Sequence, residues 1–162
     1  MLIRTSLATA LLALTPVAAT AQDDPRAEAI AAVDAFFAAL RSPDKSALGG
    51  VMLPDAMIYI HDRTDPAKPR VDAVKVADHL ARWAGSPPDL DERMTYSTVL
   101  VDGDMAQVWG PYVFLVGGKV SHCGINSLSL VRTDAGWKVG NTSFSMVAPN
   151  QCAAIGAPEA GQ

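Results

Sequence analysis

The stretch MAQVWGPYVFLV-GG-KVSHCGINSLSLVRT, residues 105–133, decides the architecture. Two long apolar-rich runs flank Gly117-Gly118, a tight-turn signal of the hairpin type. Upstream, Met94 to Val101 reads as a further strand, ended by Asp102-Gly103. Downstream, Thr133-Asp134-Ala135-Gly136 turns the chain into Trp137 to Val147. The pattern predicts a four-strand antiparallel meander. Its strands are far longer than the usual five or six residues, so they must twist and curl. A curled sheet has a concave face, and a concave face is where a small molecule binds.

Before the meander the signals are mostly helical. Asp24-Pro25 can cap and start a helix whose stripe is Ile30, Val33, Phe36, Phe37 and Leu40. Ser42-Pro43 closes it and opens a short second helix through Leu48, ended by Gly49-Gly50. Ala56 to Asp62 is β-rich and reads as a strand. Arg63 to Arg70 carries two prolines and several charges, and reads as an exposed loop. Val71 to Ala84 reads as a third helix, stopped by Gly85 and Pro87-Pro88. The expected fold is α+β: a curved antiparallel sheet, made of the meander and an N-terminal strand, packed against three helices around a cone-shaped pocket.

The chain has 162 residues, 49% hydrophobic and 19% charged, with 13 basic against 17 acidic side chains. That composition fits one globular domain and excludes a disordered chain. The acidic balance argues against nucleic acid as a partner, because phosphate binding needs a basic face. Met1 to Arg4, the apolar run Leu7–Ala19 and Ala19-Thr20-Ala21 together read as a signal peptide over residues 1–21, cut before Gln22. The expected product is exported, periplasmic or extracellular, with no membrane attachment after cleavage. Residues 22–149 form the expected domain and 150–162 a loose tail. Export places Cys123 and Cys152 where disulfides form. They either bridge, tying the tail to the sheet, or remain a buried thiol and an unrelated tail thiol. Spacing alone does not choose between these.

Alternation in the third meander strand selects the candidate site. Val120, His122, Gly124, Asn126, Leu128 and Leu130 share one face, and the leucines mark it as the inner one. His122 and Asn126 would then sit inside and need hydrogen-bond partners from protein or ligand. A core histidine satisfied by a neighbouring carbonyl or serine is the alternative. Tyr112 and Phe114 share a face that can also hold His122. Tyr96, and Tyr59 with His61 on the first strand, complete the candidate ligand-binding set. His122 is the one candidate acid/base. Cys123 cannot act with it, since adjacent strand residues face opposite ways. His61, His79 and His122 show no metal-ligand spacing, so neither a metal nor a cofactor is expected.

Val108-Trp109-Gly110-Pro111-Tyr112, Gly118-Lys119, Ser121-His122-Cys123-Gly124, Leu130-Val131-Arg132 and Gly136-Trp137-Lys138-Val139 carry a family likeness. With the order of elements, they resemble the nuclear transport factor 2-like (SnoaL-like, cone fold) superfamily over Pro25 to Pro149. The motif series is similar to the bacterial subgroup labelled lumazine-binding, a family name that assigns no ligand. The resemblance implies a conical pocket and a homodimer through the outer sheet face. Its catalytic members include ketosteroid isomerases, scytalone dehydratase and limonene epoxide hydrolase, whose acid/base carboxylates are not matched here. The inward position after His122, often acidic in the subgroup, is Asn126, and an amide is no general base. Three expectations follow. The first is a binding protein for a small apolar or heterocyclic ligand. The second is an isomerase, dehydratase or hydrolase using His122 with Tyr96 or Tyr59. The third is a dimeric interaction module with a filled interior.

Overall fold

The structure is a computed structural model and describes residues 24–161; the expected signal peptide lies outside the described residues. Helix α1 (Pro25–Arg41) starts where Asp24 accepts from the Arg26 amide at 3.0 Å and proline takes the first helical position. Its buried stripe includes Ala29, Val33, Phe36, Phe37 and Leu40. Arginines fasten both ends to the sheet. Arg26 donates to the Val99 carbonyl at 2.7 Å, and Arg41 to the Glu92 carbonyl at 3.0 Å. A 3₁₀ turn follows (Lys45–Gly50), capped by Asp44.

One mixed sheet of seven strands carries the fold. They are β1 (Met57–Asp62), β2 (Arg70–Lys75), β3 (Leu90–Met94), β4 (Thr98–Asp102), β5 (Met105–Val116), β6 (Lys119–Thr133) and β7 (Gly136–Met146). Their order is β2-β1-β7-β6-β5-β3, with β4 also on β5. The meander β4-β5-β6-β7 is antiparallel as expected, while β1 joins β7 in parallel. Register shifts at Phe114/Leu115 and Leu128/Leu130 interrupt the longest pairings. Each adds twist and helps bend the sheet around the helices. The core lies between Val33, Phe37, Leu40 and Leu48 on the helical side and Ile58, Val108, Leu128 and Val139 on the sheet.

Three sequence expectations change. Residues 70–75 are a strand, not the first turn of a helix; α2 covers only Val76–Trp83. The edge of β1 left open by β7 takes β2 as its antiparallel partner, from Met57↔Lys75 to Asp62↔Arg70. Satisfying that backbone edge outweighs the weak helical spacing of Val71 and Val74. The first meander strand is broken into β3 and β4. Thr95, Tyr96 and Ser97 oppose only Gly110 and Pro111, one residue in excess, which makes a bulge. A Cβ at Gly110 would lie 1.8 Å from the Thr95 carbonyl oxygen, so the bulge needs glycine there. Of the expected loose tail, residues 150–161 are described, and they are held at two points. Cys152 is bonded to Cys123, and Arg93 donates to the Ala160 carbonyl at 2.8 Å.

Candidate functional site

Alternation brings one face of β5, β6 and β7 under the helices. Glu92, Phe114 and His122 are successive partners across β3, β5 and β6. Ile58, Thr142 and Leu128 form a parallel row across β1, β7 and β6. Between these rows and Phe36, Leu40, Leu48, His79 and Trp83 lies a cavity of about 180 Å³. Its wall is almost wholly apolar, with Glu92, Asn126, Thr142 and the two histidines as the polar exceptions.

Glu92 and Asn126 are both buried, at 9% and 3% exposure. Asn126 Nδ2 donates to Glu92 Oε1 at 2.6 Å. Burial pushes the Glu92 carboxyl up to about 7. The hydrogen bond from Asn126 opposes that push, the nearby Asp91 charge adds to it, and Arg41 weakly opposes it. Arg41 is engaged elsewhere, on the Glu92 main chain and, at 3.6 Å, on Asp91. The site therefore holds a carboxyl group whose proton affinity burial has moved close to neutral pH.

His122 lies flat against Phe114, ring centres 5.0 Å apart, with the edge of Tyr112 at 5.8 Å. Burial pushes its imidazole down to about 4, against the pull of Asp62. At neutral pH it is uncharged. Tyr112 is a wall and not a handle. Its ring crosses Gly124, its partner on β6, and its hydroxyl donates to the Ser145 carbonyl at 2.9 Å. A Cβ at Gly124 would stand 1.7 Å from that carbonyl oxygen and 2.9 Å from Tyr112 Cε1.

Of the sequence candidates, His122, Asn126, Tyr112 and Phe114 line the cavity together. Tyr59 and His61 do not. Ile58 and Ile60 take the inner side of β1, so the residues between and after them point out. Tyr96 sits in the bulge and donates its hydroxyl to Asp34 at 2.5 Å, away from the cavity. Neither tyrosine can serve His122 as a proton donor, and His122 itself is not poised near neutrality. Glu92 is not among the sequence candidates. Its signal was the alternation Leu90, Glu92, Met94, one carboxylate on an inward face, hidden among the charges of Asp91-Glu92-Arg93. His79 and Trp83, four apart on α2 and stacked at 5.6 Å, also line the cavity, although neither is in the candidate ligand-binding set.

No family model and no curated protein matches the sequence. Solved structures do match by shape. An NTF2-like protein of unknown function from Shewanella oneidensis is 13% identical, with 75% of this chain and 99% of that chain covered and a TM-score of 0.59. An NTF2-like protein with a cystatin-like fold from Novosphingobium aromaticivorans is 20% identical, over 80% and 85%, at 0.58. A proposed dehydratase of the NTF2-like family from Streptomyces avermitilis is 21% identical, over 75% and 95%, at 0.56. At these identities the likeness is one of architecture, and it matches the curved sheet and helical cover described above: the chain has the NTF2-like fold.

Proposed function

We propose that this chain is an exported protein that binds a small, largely apolar ligand of aromatic or heterocyclic character. One observation carries the reading: the hollow behind the sheet has an apolar wall interrupted by the buried pair Glu92 and Asn126. Apolar walls with a few convergent polar groups are the usual form of a ligand site. An apolar cavity of roughly 150 Å³ accepts a benzene-sized guest, so this one has room for a ring. The aromatic side chains of the wall, Phe36, Trp83, Phe114 and Phe144, support the aromatic or heterocyclic part of the reading, and residues 1–21 support export. Native mass spectrometry of protein purified from its own cell envelope tests both parts. The expected result is a chain beginning at Gln22 with a small adduct released on unfolding. An uncut chain opposes export, and a bare mass opposes the ligand.

A second reading has its own observation. Glu92, at about 7, is matched to proton transfer at neutral pH, and the Streptomyces protein of the same fold is a proposed dehydratase. In this reading Glu92 moves the proton, replacing the expected His122. Turnover that vanishes in Glu92→Gln while ligand affinity persists would favour it. The homodimer is likewise a proposal. Tyr59, Ser143, Ser127 and Trp109 form one row across the outer face, with Tyr59 42% and Trp109 48% exposed. Light scattering of wild type and Trp109→Glu tests it: a dimer that the charge splits supports the proposal, and a wild-type monomer rejects it.

A further inference from the structure

We propose that the cavity selects a small organic cation, a primary amine on an aromatic or aliphatic body, with Glu92 as its counter-charge and Asn126 as a second acceptor. This rests on the binding function proposed for the same cavity and names the ligand's class.

Glu92 Oε1 is occupied by Asn126 Nδ2. No described residue donates to the other carboxyl oxygen or to Asn126 Oδ1. Both residues are more than nine-tenths buried and both face the cavity. Neither oxygen is among the sealed, unpartnered side-chain atoms of the described residues, which are Trp83 Nε1 and Asp91 Oδ1, so both acceptors are open to the cavity. A guest that donates N–H groups can pair with them, and a guest that only accepts cannot.

Charge narrows the class further. No cationic side chain contacts the Glu92 carboxyl among the described residues. Arg41 holds the Glu92 main chain and Asp91. Lys45 donates to the Leu40 carbonyl at 3.2 Å and lies over the Trp83 ring at 5.5 Å. His122 and His79 are both pushed toward neutral imidazole by burial. The other ionisable neighbours of the carboxyl are Asp91 and Tyr112. Asp91 carries negative charge, and the Tyr112 phenol stays protonated because burial raises it far above its ordinary value. An anionic guest would therefore meet Glu92 and Asp91, with the Arg41 guanidinium nearby already engaged on Asp91 and the Glu92 main chain. An ammonium would restore Glu92 to its ionised form.

The rest of the wall suits the same guest. Phe36, Trp83, Phe114 and Phe144 line the cavity. Aromatic faces attract cations within about 6 Å of the ring centre, and more strongly when water is excluded. A carboxylate at one side of an aromatic enclosure binds an ammonium group and leaves its apolar body in contact with the remaining wall.

Isothermal titration calorimetry at pH 7.5 with three probes of nearly equal size tests this. The probes are benzylamine (cationic), benzyl alcohol (neutral) and benzoate (anionic). The expected order is benzylamine at least about tenfold tighter than benzyl alcohol, with benzoate undetected; tenfold corresponds to about 1.4 kcal/mol. In Glu92→Gln the amine should fall to the level of the alcohol, and the alcohol should be unchanged. Benzyl alcohol binding as well as benzylamine in the wild type overturns the cation while leaving the ligand site standing. An amine preference that survives Glu92→Gln overturns the role of Glu92. No binding by any probe counts against both the cation and the cavity as a site.

Discussion

Asn126 on β6 and Glu92 on β3 are 34 positions apart in sequence and are joined inside the cavity by a single 2.6 Å hydrogen bond. The bond couples an uncharged donor to a carboxyl group that burial holds at about 7. Removing the donor should therefore cost more when Glu92 is ionised. Asn126→Ala is expected to lose about 1–3 kcal/mol at pH 8 and clearly less at pH 5. Urea midpoints at the two pH values measure this, and equal losses would show that Glu92 is not charged in the folded chain at pH 8.

The same burial sets two opposed pH dependences. Glu92 rises from 4.5 to about 7 on folding. Its contribution is complete below about pH 4.5 and is lost as pH climbs to 7, on the order of 3 kcal/mol in all. His122 falls from 6.5 to about 4. Its contribution is complete above pH 6.5 and is lost as pH drops through 4. Between 4.5 and 6.5 Glu92 and His122 offset one another, and His79, also lowered by burial, adds to the rise, so wild-type stability should rise only gently there. Glu92→Gln should unmask a rise with pH, and His122→Asn a fall. Denaturant titrations across that range check both slopes; superimposable curves for wild type and Glu92→Gln would refute the buried carboxyl.

Gly124 gives Tyr112 its path to the Ser145 carbonyl. Gly124→Ala places a methyl group inside contact distance of both, and backbone cannot yield as a flexible side chain would. A loss of at least about 3 kcal/mol is expected, at the upper end of overpacking costs. Tyr112→Phe keeps the ring and removes only the hydroxyl, for about 1 kcal/mol. Thermal unfolding of the two variants separates the effects. A mild Gly124→Ala would mean that β6 and β7 can part at this point.

Cys123 is fully buried on the face opposite His122 and is bonded to Cys152, 29 residues on. Closing a loop of that length stabilises by about 3–4 kcal/mol if unfolded-chain entropy dominates. The double variant Cys123→Ala, Cys152→Ala should lose stability of that order and expose residues 150–162 to protease. Intact mass with and without reductant checks the bridge itself. Two thiols reactive before reduction would reject it.

The inner face of β6 was legible because a strand's period of two leaves no choice once Leu128 and Leu130 are placed inside. That put His122 and Asn126 beneath the helices, with Tyr112 and Phe114 beside them. The first strand shows the limit of the same argument. Two faces were available, and Ile58 and Ile60 compete with Tyr59 and His61 for the inner one; hydrophobic burial favours the isoleucines. Glu92 was illegible for a different reason. Asp91-Glu92-Arg93 resembles a solvated turn, and only the register of β3 against Met94↔Tyr112 and Glu92↔Phe114 sends its middle residue inward. Its pairing with Asn126 is long-range, and local pattern does not encode such contacts.

The central claim is that the hollow behind β5, β6 and β7 receives a guest. Leu128 lines it and is 2% exposed, so Leu128→Trp would fill it from the sheet side. The most direct measurement is native mass spectrometry of wild type and Leu128→Trp, each shown to be folded by circular dichroism and purified from the same host cells. The expected result is a small-molecule adduct on the wild type that is absent from the filled variant. An adduct carried equally by both, or by neither, would contradict the claim.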